Sequence, residues 1–127
     1  MEVFYDVISG QVELCKGLID GYEYRIVCNG VNPCCYITLP QNHKLSTLNV
    51  KKLRKMSDSG ELGIGVHGGI TWVSRENNSI CLGWDYAHTP MDYIGFMGER
   101  SGGKKWTVEE IKKDVVQGVK SLISYNE

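Results

Sequence analysis

The stretch "GVHGGITWVSRENNSICLGWDY", residues 65–86, decides how this 127-residue chain folds. Both ends, 65–73 and 79–86, are rich in β-branched and aromatic residues, and the polar run "SRENN" between them has the length of a hairpin loop. Pairing Val73 with Ser79 across that loop fixes a register. Val66, Ile70 and Trp72 then share one apolar face with Ile80, Leu82, Trp84 and Tyr86, because strand side chains alternate. The other face carries His67, Gly69, Thr71, Cys81, Gly83 and Asp85. There His67 stands opposite Asp85 and Gly69 opposite Gly83, with paired Cβ atoms about 4.5–5.5 Å apart, near enough for an imidazole and a carboxylate to hydrogen-bond. Consecutive glycines weaken a strand and leave nothing to pack, so Gly68 and Gly69 mark a close approach by a ligand or another backbone. The expected site is a shallow trough floored by glycine, with His88 and Asp92 of "YAHTPMD" at its rim.

The apolar face needs a cover, and the C-terminal segment "WTVEEIKKDVVQGVKSLISYNE" supplies one. Thr107 followed by Glu110 has the spacing of a capping box. Val108, Ile111, Val115, Val119 and Leu122 recur at intervals of three and four, which predicts a helix over about 108–124 with one apolar stripe. Gly118 inside it costs about 1 kcal/mol relative to alanine. Upstream, "YEYRIVC" (22–28) and "CCYITLP" (34–40) read as a hairpin around the turn formers "NGVNP". Residues 46–56 suit a short helix entered through Ser46 or Thr47, followed by a loop over 57–63. The first twenty residues fit a helix or a strand turned at "SG" equally well. The fold class expected is α+β: one domain over 1–127, an antiparallel β-sheet of about four or five strands, and the C-terminal amphipathic helix packed on one face.

Composition narrows the function classes. Fourteen basic and fifteen acidic side chains leave a net charge of −1, without the basic balance that marks duplex nucleic-acid binders. The short basic runs "KKLRK" (51–55) and "ERSGGKK" (99–105) read as solvated surface. No segment has the roughly 18 apolar residues of a membrane span, and "MEVFYDVISG" lacks the pattern of a secretory leader. Five cysteines at irregular spacing suit a reducing compartment, as small buried hydrophobes. The expectation is a cytoplasmic protein without membrane or duplex partners, with an exposed sheet face suited to homo-oligomer formation.

"PQNH" (40–43), "VHGGITW" (66–72) and "GWDYAHTPMD" (83–92) together resemble a family of small bacteriophage-encoded proteins. Its pattern runs P-x-x-H, V-H-G-G-[LI]-T, G-[FW]-D-x-A-H-x-x-D and a C-terminal helix. The resemblance covers about 33–125, leaving the first thirty residues as an N-terminal addition, and Lys44 departs from the usual H-P-L. It singles out His43, His67, Gly68, Gly69, Thr71, Asp85, His88 and Asp92. A phage origin implies, by analogy, a counter-defence role such as capture or destruction of a nucleotide signal of the host, or inhibition of a host defence protein.

Three chemistries suit these residues, with capture of a small nucleotide-derived ligand the expected function and the other two its alternatives. A binding module would lay a nucleotide-derived ligand on exposed backbone N–H groups, with Tyr93 stacking a base and Arg75 or Arg100 meeting a phosphate. Trp72 and Trp84 are expected as core anchors instead. A hydrolase would use His67 oriented by Asp85, with His88, as catalytic groups. Alternatively it would hold zinc or manganese on His43, His67, His88 and Asp92, with Asp85 behind His67. An interaction protein would use the glycine face for a partner's backbone.

Overall fold

The computed structural model describes residues 4–6, 11–28, 32–88, 92 and 103–127. Among the described residues an antiparallel sheet and two α-helices form an α+β fold. The strands are β1 (Phe4–Asp6), β2 (Gln11–Ile19), β3 (Tyr22–Cys28), β4 (Pro33–Thr38), β5 (Trp72–Glu76) and β6 (Ser79–Asp85). Five of them have five residues or more, and the three-residue β1 adds an edge. Their order is β1-β2-β3-β4-β6-β5, with every pairing antiparallel. Helix α1 (Val50–Ser59) follows a 3₁₀ turn at Lys44–Thr47, and helix α2 (Val108–Tyr125) closes the chain. No helix among the described residues is long and apolar enough to cross a membrane.

Two hairpins turn on two residues in left-handed conformation, the geometry that matches the twist of antiparallel strands. Asp20 and Gly21 (φ 49° and 85°) join β2 to β3, making the ambiguous N-terminal region strand rather than helix. Asn77 and Asn78 (φ 50° and 66°) join β5 to β6. The expected five-residue loop is therefore wrong: Ser74, Arg75 and Glu76 belong to the strand, Glu76 pairs with Ser79, and Val73 faces Leu82. Val73's partner lies three residues beyond the one expected, and an odd slip exchanges the faces. Val73 now points into the core at 2% exposure while Trp72 stands outside it at 50%, correcting its expected role as an anchor. Trp84 is a core anchor, at 1%.

The buried face of the sheet presents Val73, Leu82 and Ile37 in one row and Trp84, Cys35 and Ile26 in the next. Helix α2 lies across β2, β3 and β4 with Ile111, Val115, Val119 and Leu122 buried against them. Its capping box is formed: Thr107 Oγ1 accepts from the Glu110 N–H at 3.2 Å, and Glu110 Oε1 accepts from the Thr107 N–H at 3.1 Å. Gly118 owes its place to packing, since a Cβ there would stand 2.8 Å from Val66 Cγ1 and 3.4 Å from Ile37 Cδ1. Helix α1 begins at Asn49, whose side chain caps the Lys52 N–H, and ends at left-handed Gly60. It thus runs later than the 46–56 expected. All five cysteines are free thiols; Cys34, Cys35 and Cys81 are buried, whereas Cys15 and Cys28 are only partly so.

Candidate functional site

The segment 65–71 is not strand. Gly68 and Gly69 adopt φ of 71° and 76°, and the Gly69 N–H donates to the Val66 carbonyl, so the chain turns before β5 begins. That turn lifts His67 off the sheet. Asp114 of α2 holds it, accepting from the His67 main-chain N–H at 3.1 Å and from the Tyr86 hydroxyl at 2.6 Å through one oxygen, Oδ2. The Tyr86 hydroxyl in turn accepts from Trp84 Nε1 at 3.0 Å. Burial and the Asp114 carboxylate push the Tyr86 hydroxyl well above its ordinary pKa, so it stays a donor. The His67 ring stacks on Tyr86, with centroids 5.0 Å apart and planes parallel within 1°. Trp106, just before α2, closes against both rings at 4.8 and 4.9 Å.

The carboxylate that meets His67 is Asp92, correcting the expected partner Asp85. Asp92 Oδ2 lies 2.8 Å from His67 Nε2 and accepts from the His88 main-chain N–H at 3.0 Å, while Oδ1 accepts from Trp106 Nε1 at 2.8 Å. Its side chain has no solvent exposure, against 17% for His67. Burial alone would push this carboxyl up. The hydrogen bonds from His88, His67 and Trp106, with the nearby imidazole charge, outweigh it and hold the group below its ordinary value. The Asp92 N–H donates to the His88 carbonyl at 2.8 Å. Gly103 packs against the Asp92 backbone so closely that any Cβ would collide with it. Asp85 falls on the far side of the shifted register, opposite Cys34. It accepts from the Ala87 N–H at 3.2 Å and stands 3.5 Å from His88 Nε2.

His88 completes the cluster. Its Nε2 is buried and has no hydrogen-bond partner among the described residues. A buried ring nitrogen without a partner asks for a water or an ion. His67, His88 and Asp92 each offer one ligand atom, and the three lie within 4.8 Å of one another. Metal–ligand bonds of about 2.0–2.2 Å place tetrahedral ligand atoms about 3.4 Å apart, so closing on an ion takes adjustments of about 1 Å. Two imidazoles and one carboxylate suit zinc or manganese and leave a position for water.

The remaining expected residues go elsewhere. His43, 1% exposed, is structural: Nδ1 accepts from the Leu45 N–H at 3.0 Å, and Nε2 donates to the Leu122 carbonyl at 2.9 Å. Thr71 is exposed, and its N–H donates to the Gly83 carbonyl. Arg75 hydrogen-bonds the carbonyls of Ser46 and Leu48. Tyr93 and Arg100 lie outside the described residues. The glycine-floored trough is filled by the protein itself: Tyr36 covers Gly83, and the His88 ring covers Gly68, leaving only Gly69 open. Trp106 and Asp114 were missed. Asp114 stands three residues after Ile111, beside the apolar stripe, and a carboxylate so placed signals a partly buried acceptor. No family model, curated protein or solved structure matches this chain.

Proposed function

We propose that this chain is a metal-assisted hydrolase of a small nucleotide-derived substrate, with His67, His88 and Asp92 as the ligand set. The observation that carries the reading is the convergence of three metal-type donors at one point, one imidazole having a buried nitrogen with no hydrogen bond among the described residues. A divalent ion bound there would lower the pKa of water and polarise a phosphoryl oxygen. The chain's own residues prepare the place. Trp106 and the His88 N–H fix the Asp92 carboxylate, and Tyr86 and Asp114 set the plane and height of His67, while the Asp85 carboxylate lies 3.5 Å from His88 Nε2. Tyr86 and Trp106 wall the centre with aromatic surface, which excludes bulk water from one side.

The likeness of the motifs to phage-encoded proteins favours a host signalling nucleotide as the substrate, and with it a counter-defence role in the infected cell. The glycine trough that would have favoured simple capture is filled, and this turns the balance toward hydrolysis.

Protein purified without added metal and then dialysed against zinc or manganese tests the reading. About one equivalent per chain is expected, with metal-dependent hydrolysis of a cyclic dinucleotide or of ADP-ribose. Both properties should disappear in His67→Ala and Asp92→Asn while the circular dichroism spectrum survives. Less than a tenth of an equivalent, or hydrolysis untouched by chelator, would sink it. Recovery of the nucleotide intact after a thermal shift would make the protein a capture device instead.

A further inference from the structure

Near the metal-type centre, the surface beside Gly68 is hollowed. One depression of about 380 Å³ includes Ser57, Asp58, Gly68 and Gly69 in its lining, and a second of about 240 Å³ includes Arg54, Ser57, Asp58, Thr71 and Trp72. Ser57 and Asp58 line both of these grooves, which lie along the side of α1 tied to the chain entering β5. The larger one reaches Gly68, against which the His88 ring packs. Ser57 Oγ donates to the Ile70 carbonyl and an Arg54 nitrogen donates to the Val73 carbonyl at 3.2 Å, pinning the helix to this edge.

We infer that the smaller of these grooves is the nucleoside subsite, in which Trp72 stacks the base, Asp58 accepts from the ribose hydroxyls and Arg54 meets phosphate. The inference rests on the hydrolase reading for its ligand class. Trp72 is half exposed, at 50%, on a strand whose next residue is buried, so its ring is free to carry a ligand. Asp58 is exposed and makes no ion pair among the described residues. A carboxylate there would repel a purely anionic ligand but suits a sugar diol, as an acidic side chain does in dinucleotide sites. Arg54 lines the same depression, and its hydrogen bond to the Val73 carbonyl anchors the side chain there. An apolar peptide would find too much polar lining; a flat base joined to a diol and a phosphate finds a partner for each part.

Equilibrium dialysis with adenosine 5′-monophosphate in excess chelator measures this groove apart from any metal chemistry. Stacking on one aromatic ring predicts an affinity loss of roughly ten-fold or more in Trp72→Ala and near-complete retention in Trp72→Phe. Wild type should prefer adenosine 5′-monophosphate to its 2′,3′-dideoxy analogue, and Asp58→Asn should reduce that preference. Equal binding by wild type and Trp72→Ala, or no preference for the diol, overturns the groove. Loss of metal-dependent turnover in every preparation, with these binding differences intact, overturns the hydrolase and leaves the groove standing. Turnover whose KM ignores Trp72 and Asp58 overturns the groove and leaves the hydrolase.

Discussion

A side chain on Gly68 would collide with Nε2 of His88: the bare backbone at one residue and the imidazole of the other occupy a single fitted space. Gly69, the next residue, has the same left-handed conformation but nothing within 4 Å of a would-be Cβ. The pair separates sterics from backbone strain. Gly69→Ala should cost only the strain of a left-handed alanine, about 1 kcal/mol. Gly68→Ala should cost that and an overpacking penalty of about 1–3 kcal/mol besides, and should displace His88. Urea denaturation of both variants, with metal content measured on each, checks the difference; equal losses would mean that the His88 ring moves aside freely.

Much of this was legible from the chain because it is local. The capping box and the three-four spacing of α2 depend on neighbours a few residues apart, and they place the helix within a residue of where it lies. His67, His88 and Asp92 were singled out from the motif, but their pairing was not. Pairing depends on register, register on the turn, and the turn was read as five residues when Asn77 and Asn78 alone make it. Adjacent asparagines tolerate positive φ, so the signal was present and was outweighed by loop polarity. Trp106 and Asp114 act through contacts across the fold, for which spacing offers little.

Gly118 presents the opposite balance to Gly69. Alanine there regains about 1 kcal/mol of helix propensity. Its methyl group, however, meets Val66 Cγ1 at 2.8 Å, and Val66 is one residue from His67. Gly118→Ala alone should therefore lower the melting temperature. Combined with Val66→Ala it should recover most of the loss, a coupling that a thermal double-mutant cycle reads directly.

Asp114 carries two donors on one oxygen, so its removal strands both. Asp114→Ala should cost about 1–3 kcal/mol through the unsatisfied Tyr86 hydroxyl and the freed His67 N–H. Metal retention should fall as well, because the height of His67 is no longer fixed. Tyr86→Phe removes the hydroxyl but leaves the His67 N–H on Asp114, so it should spare metal retention. A melting curve and a metal titration on the two variants distinguish these effects; equal metal loss in both would assign the control of His67 to Tyr86 instead.

His43 and His67 were both expected at the site but answer to different physics. Both ring nitrogens of His43 are spent on main chain, tying the 3₁₀ turn to the end of α2, so His43→Ala should destabilise by about 2–4 kcal/mol. It should leave metal stoichiometry unchanged in whatever remains folded. His67→Ala should remove the metal with a smaller stability loss. A His43 variant that stays stable yet loses metal would return that histidine to the site.

The thiols offer a test of the sheet that is independent of any function. Burial, with Asp85 and Cys28 adding to it, pushes Cys34 up to about 11; burial, with Glu76 adding to it, pushes Cys81 up to about 11; burial holds Cys35 higher still. Raised values keep these three groups protonated, and protonated thiols are poor nucleophiles. At pH 8 a brief pulse of iodoacetamide on the native protein should mark Cys15 and Cys28 and leave Cys34, Cys35 and Cys81 unmodified; in urea all five should react. Peptide mass mapping reads the pattern. Rapid native labelling of Cys35, which lies between Trp84 and Ile26 in the register, would mean that β4 is not sandwiched between β3 and β6 as described.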